Sequence, residues 1–232
     1  MDRINENLHR TIVWGALATA FRPPEDEPFA LATDLPAAAD ALGLDAAPFL
    51  AVLGDDDVAE AHNHLFGHTL RGPCPAYEGE YGEPKGMRYA HEIGDVSGFY
   101  RAFGLQPSRR LAERADHISV ECEFMAFLAL KEACALRAHG EEQAEVCRDA
   151  SAKFLEDHLG RFGRAFAARV RRASVSHAPF HEAAAALLDQ TIQRDAARYD
   201  VTCGSENLPL REDTGTPDDA CVRCRSSEGT PR

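Results

Sequence analysis

The stretch Asp116–Arg137, DHISVECEFMAFLALKEACALR, is decisive for the fold. It opens on an acidic residue able to cap the first free backbone N–H groups of a helix. It then places Ile118, Cys122, Met125 and Ala129 at intervals of four, three and four. That period is helical, and it recurs on both sides. Downstream, from Glu141 to Arg172, Leu155, Leu159, Phe162, Phe166 and Val170 are separated by four, three, four and four residues, with Gly140 as the stop before them. Phe180 to Tyr199 carries Ala184, Leu188, Ile192 and Ala196. Upstream, Asp57 to Leu70 lines up Val58, Ala61, Leu65 and Thr69, with Phe66 widening the stripe, and Leu8, Ile12, Ala16 and Ala20 mark a first helix. No segment alternates strictly over several turns, and no Asn-Gly or Asp-Gly pair joins two apolar runs. The reading is an all-α protein, a single globular helical bundle.

Two stretches interrupt the helices. Gly72–Gly86, GPCPAYEGEYGEPKG, holds Pro73, Pro75 and Pro84 beside its glycines. Lost N–H donors and backbone entropy exclude helix there and leave a loop between helices. From Thr202 to Arg232, proline and glycine recur with few large apolar residues, so a flexible C-terminal tail is expected after a helical domain spanning residues 1–201.

The chain has 232 residues and a formal net charge of −13. An acidic balance disfavours binding to a phosphate backbone, which depends on a basic field, and no apolar run approaches the ~18 residues of a spanning helix. The odd count of seven cysteines in a chain of this length fits a reducing cytosol better than a disulfide framework. Thr11–Phe21, TIVWGALATAF, superficially resembles a secretion signal. The residues before it balance Asp2 and Glu6 against Arg3 and Arg10, so a core helix is the expected reading.

Motifs of catalysis are sparse: no phosphate-binding loop, dinucleotide fingerprint, nucleophile elbow or His-Glu-x-x-His is present. Four local groupings remain. His62, His64 and His68 crowd one helix, and the last two have a spacing that lets imidazoles share a metal, with Cys74 or Glu78 within reach; exposed or capping histidines are the expected reading. Cys221 and Cys224 form a C-x-x-C with Cys203 upstream. They would make a metal or redox site if a fourth ligand joined them, and incidental thiols on a tail otherwise. Asp116 and His117 would serve a small helical enzyme as an oriented general base, whereas a helix cap is the plainer role. Arg161, Arg164, Arg169, Arg171 and Arg172 read as the solvated face of an amphipathic helix or as a patch for an acidic partner.

The order of these features resembles one family. A helix bearing Leu65-Phe66-Gly67 precedes a loop with Pro73, Pro75, Tyr77, Glu78 and Tyr81. Then come Glu113-Arg114-Ala115-Asp116-His117-Ile118-Ser119-Val120-Glu121-Cys122-Glu123-Phe124-Met125 and Phe154-Leu155-x-x-His158-Leu159. Over residues 6 to 200 this is similar to the TorD/DmsD/NarJ family of cytoplasmic redox-enzyme maturation chaperones. The Tyr-Glu-x-x-Tyr loop is nearest to the chaperones of type II dimethyl-sulfoxide-reductase-like enzymes.

The resemblance implies a non-enzymatic, all-helical chaperone without metal or cofactor. Its partner would be the twin-arginine signal peptide and apo-form of a molybdopterin oxidoreductase catalytic subunit, which it holds until cofactor insertion is complete. It implies no nucleic acid, no stable membrane insertion, and a monomer or homodimer. Carried over by residue, Leu65 and Phe66 would build an apolar wall, Pro75 would shape the loop, and Asp116 with His117 would face the client. The chain departs from the pattern at His62, Ala115 and the cysteine-bearing tail.

The physics agrees with such a partner, because two arginines beside an apolar stretch call for carboxylates near a greasy groove. Glu78, Glu80, Glu83, Asp116, Glu121 and Glu123 are candidates for the first, and Leu65, Phe66, Tyr77 and Phe124 for the second. The net charge of −13 would speed the encounter with a cationic ligand.

Overall fold

Asp2 accepts a hydrogen bond from the Asn5 amide and starts helix α1 (Arg3–Ala20). In the computed structural model, which describes residues 1–23, 33–54, 58–67, 72–82, 88–106, 113–174 and 178–211, this helix lies along α6 (Ile118–Ala138). Between them in the chain come α2 (Leu35–Leu42), α3 (Ala47–Ala51), α4 (Val58–Phe66) and α5 (Arg88–Ala102). After α6 follow α7 (Glu141–Phe154), α8 (Gly160–Ala173) and α9 (Pro179–Tyr199). Helix α6 also packs on α7, α8 on α9, and α2 on α1. Among the described residues there is no strand, only two isolated antiparallel bridges, Tyr77 with His117 and Tyr81 with Leu210. The chain is therefore all-α, as the helical periods indicate.

The stripe read on α6 is fully buried at Ile118, Cys122, Met125 and Ala129. Phe124 and Leu128 are buried as well, since α6 is covered on more than one side. Gly140 ends the helix with φ 96°, a conformation that costs glycine no Cβ clash, and its amide returns to the Ala135 carbonyl. On α1 Ala16 and Ala20 are buried and Ile12 packs on the core, as read from the sequence, but the inward face extends to other positions. Leu8 is 38% exposed, while Asn7, Arg10, Val13, Trp14 and Leu17 face inward. The buried polar pair is stabilised by Asp195 on α9. Its carboxylate accepts from Arg10 Nε at 3.0 and 3.1 Å and Nη2 at 2.7 Å, and from Trp14 Nε1 at 2.8 Å.

The single helical run read over 141–172 follows one path but is interrupted by a π turn, Leu155–Leu159. The Gly160 amide reaches the Leu155 carbonyl, five residues back. The turn keeps Leu155, Leu159, Phe162, Phe166 and Val170 all in the core and also turns His158 inward. A Cβ on Gly160 would stand 2.3 Å from the Leu155 oxygen and 2.7 Å from Cys203 Sγ. Gly160→Ala is therefore expected to cost about 1–3 kcal/mol, read as a lower urea midpoint; an unchanged midpoint would contradict so close an approach.

Residues 202–211, which composition assigns to the flexible tail, lie against the bundle. The Gly204 amide donates to the Gly160 carbonyl at 3.0 Å and the Arg211 amide to the Glu80 carbonyl at 2.8 Å.

Candidate functional site: the acidic latch of residues 72–82

Proline and glycine keep residues 72–82 out of an α-helix, so their backbone must bond elsewhere. It does so against the start of α6 and the end of α4. The Cys74 amide donates to the Leu65 carbonyl at 3.0 Å, the Ile118 amide to Ala76 at 2.8 Å, and the Glu78 amide to Asp116 at 2.9 Å. Glu78–Glu80 close into one 3-10 turn, a short helical element inside a segment read as loop. Pro75 is buried, and its carbonyl accepts from the Tyr81 hydroxyl at 2.9 Å.

Asp116 was the expected N-cap of α6, but the cap is His117, whose Nδ1 accepts from the Ser119 amide at 3.2 Å and lies 2.7 Å from the Ser119 hydroxyl. Asp116 is released for another task. Arg114 Nε and Nη2 donate to its two oxygens at 2.9 and 2.6 Å, and the Gly79 amide donates at 3.1 Å. Burial pushes the Asp116 carboxyl up, against the pull of Arg114 and Gly79. Burial likewise drives His117 down to about 3, with the charges of Arg114 and Arg22 adding to it, so the ring is neutral. Asp116 and His117 thus serve separate partners, and the carboxylate does not orient the imidazole as a general base requires.

Glu78 is the second buried acid. Its Oε1 accepts from Arg161 Nε at 3.1 Å and Nη2 at 2.6 Å, and its Oε2 lies 3.2 Å from His158 Nδ1. Arg161 is therefore not part of a merely solvated basic face; Arg164 is likewise paired, with Asp189 at 2.9 Å. Glu121, fully enclosed in the first turn of α6, has no hydrogen-bond partner on either oxygen. Burial first, then the charges of Glu78 and Asp116, raise its carboxyl well above the usual range, which favours its neutral form.

Tyr77 forms the half-buried rim. Its hydroxyl donates to Glu113 at 2.9 Å, its ring stands edge-on to His117, and the Arg114 guanidinium lies over it at 4.6 Å. Leu65, Phe66 and Phe124 lie inside the core, Phe66 against Phe21 and Phe166, Phe124 against Tyr100 and Phe154. Of Leu65, Phe66, Pro75, Tyr77, Glu78, Asp116, His117, Glu121 and Phe124, eight are enclosed in this conformation and only Tyr77 reaches the surface; of the other candidate acids described, Glu80 is buried and Glu123 is exposed beside Arg22. The acids and their arginines are brought together; the apolar wall is packed behind them.

The other groupings are dispersed. His62 is buried against Phe66 and His181, while His64 is exposed and His68 lies outside the described residues. Among the described residues no three His, Cys, Asp or Glu gather in a metal-holding arrangement. Burial pushes the Cys74 thiol up to about 11 and raises Cys203, opposite to what a thiolate ligand needs. Cys221, Cys224 and Glu83 lie outside the described residues. Sequence reasoning missed Arg114, His158 and Arg161 as parts of the site. The basic run contained the last of them, but only its partner 83 positions away gives it a role.

A family model described as the nitrate reductase delta subunit matches residues 30–168, well over half of the chain. The chain belongs to that family. Nitrate reductase delta subunits of this NarJ/TorD type are chaperones for molybdoenzyme maturation and not catalysts. The match spans α2 to α8 and so includes every hydrogen bond of the latch up to Arg161. No curated protein sequence matches the chain significantly. Among the described residues no helix is long and apolar enough to cross a membrane.

Proposed function

We propose that this delta-subunit family member is a cytoplasmic chaperone, without catalytic turnover, that binds the twin-arginine signal peptide and apo-form of a molybdopterin oxidoreductase catalytic subunit. It holds that subunit until its cofactor is inserted and so prevents premature export. The observation carrying this reading is the pair of buried carboxylates, Glu78 and Asp116, each already engaged by a guanidinium at a partly open rim. A carboxylate meets arginine's fork with two parallel bonds, a geometry that lysine's point charge does not reproduce. Tyr77 adds a ring face on which a guanidinium can lie, as Arg114 does. Pro75, Tyr77, Glu78, Asp116, His117 and Glu121 form the receiving end, with Leu65, Phe66 and Phe124 as the apolar body that a helix-prone segment would reach once the latch loosens.

Co-expression with a molybdoenzyme catalytic subunit tests this. The expected result is co-purification of the apo-subunit through its leader, with a drop of tenfold or more when the two leader arginines are changed to lysine. Equal recovery with lysines, or none with arginines, would rule out recognition through guanidinium pairs.

A further inference from the structure

Two arginines of the chain itself hold the two acids of the latch. Arg161 projects from α8 and brings Nε and Nη2 to Glu78 Oε1; Arg114 folds back over Tyr77 and sets Nε and Nη2 on the two oxygens of Asp116. The acids are enclosed, whereas the arginine side chains remain 31% and 25% exposed. The two arginines are thus partly in solvent while their guanidinium groups reach the enclosed acids. The acids are also adjacent: Asp116 receives the amides of Glu78 and Gly79, through its carbonyl and its carboxylate respectively. A third acid, Glu121, stands in the same field with both oxygens unpartnered.

We propose that Arg161 and Arg114 are internal stand-ins for the client's two arginines, closing the latch in the free chaperone and leaving when the client's guanidinium groups take their place. This rests on the function proposed above. Removing a guanidinium from a buried carboxylate without a replacement is strongly unfavourable, because an uncompensated charge remains. Exchanging one guanidinium for another restores the same hydrogen bonds and the same charge balance. The latch therefore resists opening by solvent or by lysine and yields to an incoming arginine pair. His158, 3.2 Å from the other oxygen of Glu78, keeps that carboxylate oriented during the exchange. Specificity arises from competition: a ligand must reproduce what the chain already supplies.

Titration calorimetry of the full chain with a synthetic peptide, carrying two consecutive arginines before an apolar stretch, tests the exchange. Wild-type binding of this peptide, and not of its twin-lysine form, tests the underlying reading; binding by neither wild type nor any variant defeats both. Granted binding, Arg161→Ala is expected to tighten Kd roughly tenfold, since the competitor is gone while Glu78 remains. Arg161→Lys keeps the charge without the fork and is expected to fall between wild type and Arg161→Ala. It carries the test alone should the alanine variant fail to fold. Adding Glu78→Gln to either variant should abolish the gain. N-Methylguanidinium at about 10 mM should raise the melting temperature of Arg161→Ala and leave wild type unmoved. Equal or weaker peptide binding by folded Arg161→Ala and Arg161→Lys would mean that Arg161 is only a brace and would overturn the exchange, leaving the chaperone reading intact.

Discussion

Asp195→Ala is expected to lower the unfolding free energy by about 3–5 kcal/mol, the cost of leaving a buried charge without its partner. Arg10 and Asp195 are both 1% exposed, and the carboxylate also accepts the indole N–H of Trp14. Glu132, 3.9 Å from Arg10 Nη1, supplies a weaker substitute. For a chain of this size about 2–4 °C of melting temperature accompanies each kcal/mol, so a fall of about 6–20 °C should be seen by calorimetry. Asp189→Ala, which breaks the part-exposed pair with Arg164, is the control and should cost less than about 1 kcal/mol. Similar effects for both variants would mean that the Arg10 pair is not the tie between α1 and α9.

Acidification from pH 7 to pH 5 is expected to destabilise the protein through three buried histidines. Burial depresses His62 to about 4 and His181 to about 3, and His117 also to about 3. A depressed folded pKa means that the unfolded chain takes up protons first. The stability these groups contribute is therefore complete above the ordinary value of 6.5 and is lost as pH falls toward 3–4. At about 1.4 kcal/mol per pH unit per proton, three histidines lose roughly 6 kcal/mol by pH 5. Glu121 acts in the opposite sense. Its raised pKa makes the folded state bind the extra proton, so its penalty is relieved on acidification and offsets part of the histidine loss. Three histidine protons against at most one from Glu121 leave a net loss on acidification. Urea unfolding at pH 7, 6 and 5 measures it. His181→Leu should remove about one proton from the slope, whereas Glu121→Gln should stabilise the protein at pH 7 and steepen the acid loss. A stability constant from pH 7 to 5 in the wild type would show that these side chains are not enclosed as described.

What the sequence reveals is what local spacing can encode. The stripes of α6, α8 and α9 follow from a 3.6-residue period, and Gly140 from backbone sterics. Helices α2 and α3 escaped notice because they are short, although Pro36 near the start of α2 and Gly43 just past its end are ordinary start and stop signals. The π turn has no signature in the apolar pattern, since the spacing through Leu155, Leu159 and Phe162 stays helical across it. On α1 the reading holds at Ala16 and Ala20, which are buried, and at Ile12, which packs on the core, but fails at Leu8, because Arg10 is charged and Leu8 is not. A carboxylate 185 positions away, helped by Asn7 and Glu132, makes burying the arginine favourable.

The acids of the site were found from the sequence and its family resemblance, but their state was not. Glu78 and Asp116 looked available to a client, yet Arg161, 83 positions on, and Arg114, two before Asp116, occupy them. Asp116 lost the cap position to its neighbour because the Gly79 amide and Arg114 offer its carboxylate stronger partners. His62, read as exposed or metal-ligating, is folded inward among Phe66 and His181. Except for the local Arg114–Asp116 pair, these differences are pairings across distant sequence, and periodicity registers neither kind.

Hydrogen–deuterium exchange of the chaperone with and without an apo molybdoenzyme catalytic subunit bears on the proposed role of the latch. The latch should report the client: the amides of Ile118, Glu78, Gly79 and Tyr81, which bond to Ala76, Asp116, Asp116 and Glu78, are expected to change protection together with the segment around His158 and Arg161. Unchanged exchange at 74–82 and 113–121, with protection gained on a different face of the bundle, would contradict it.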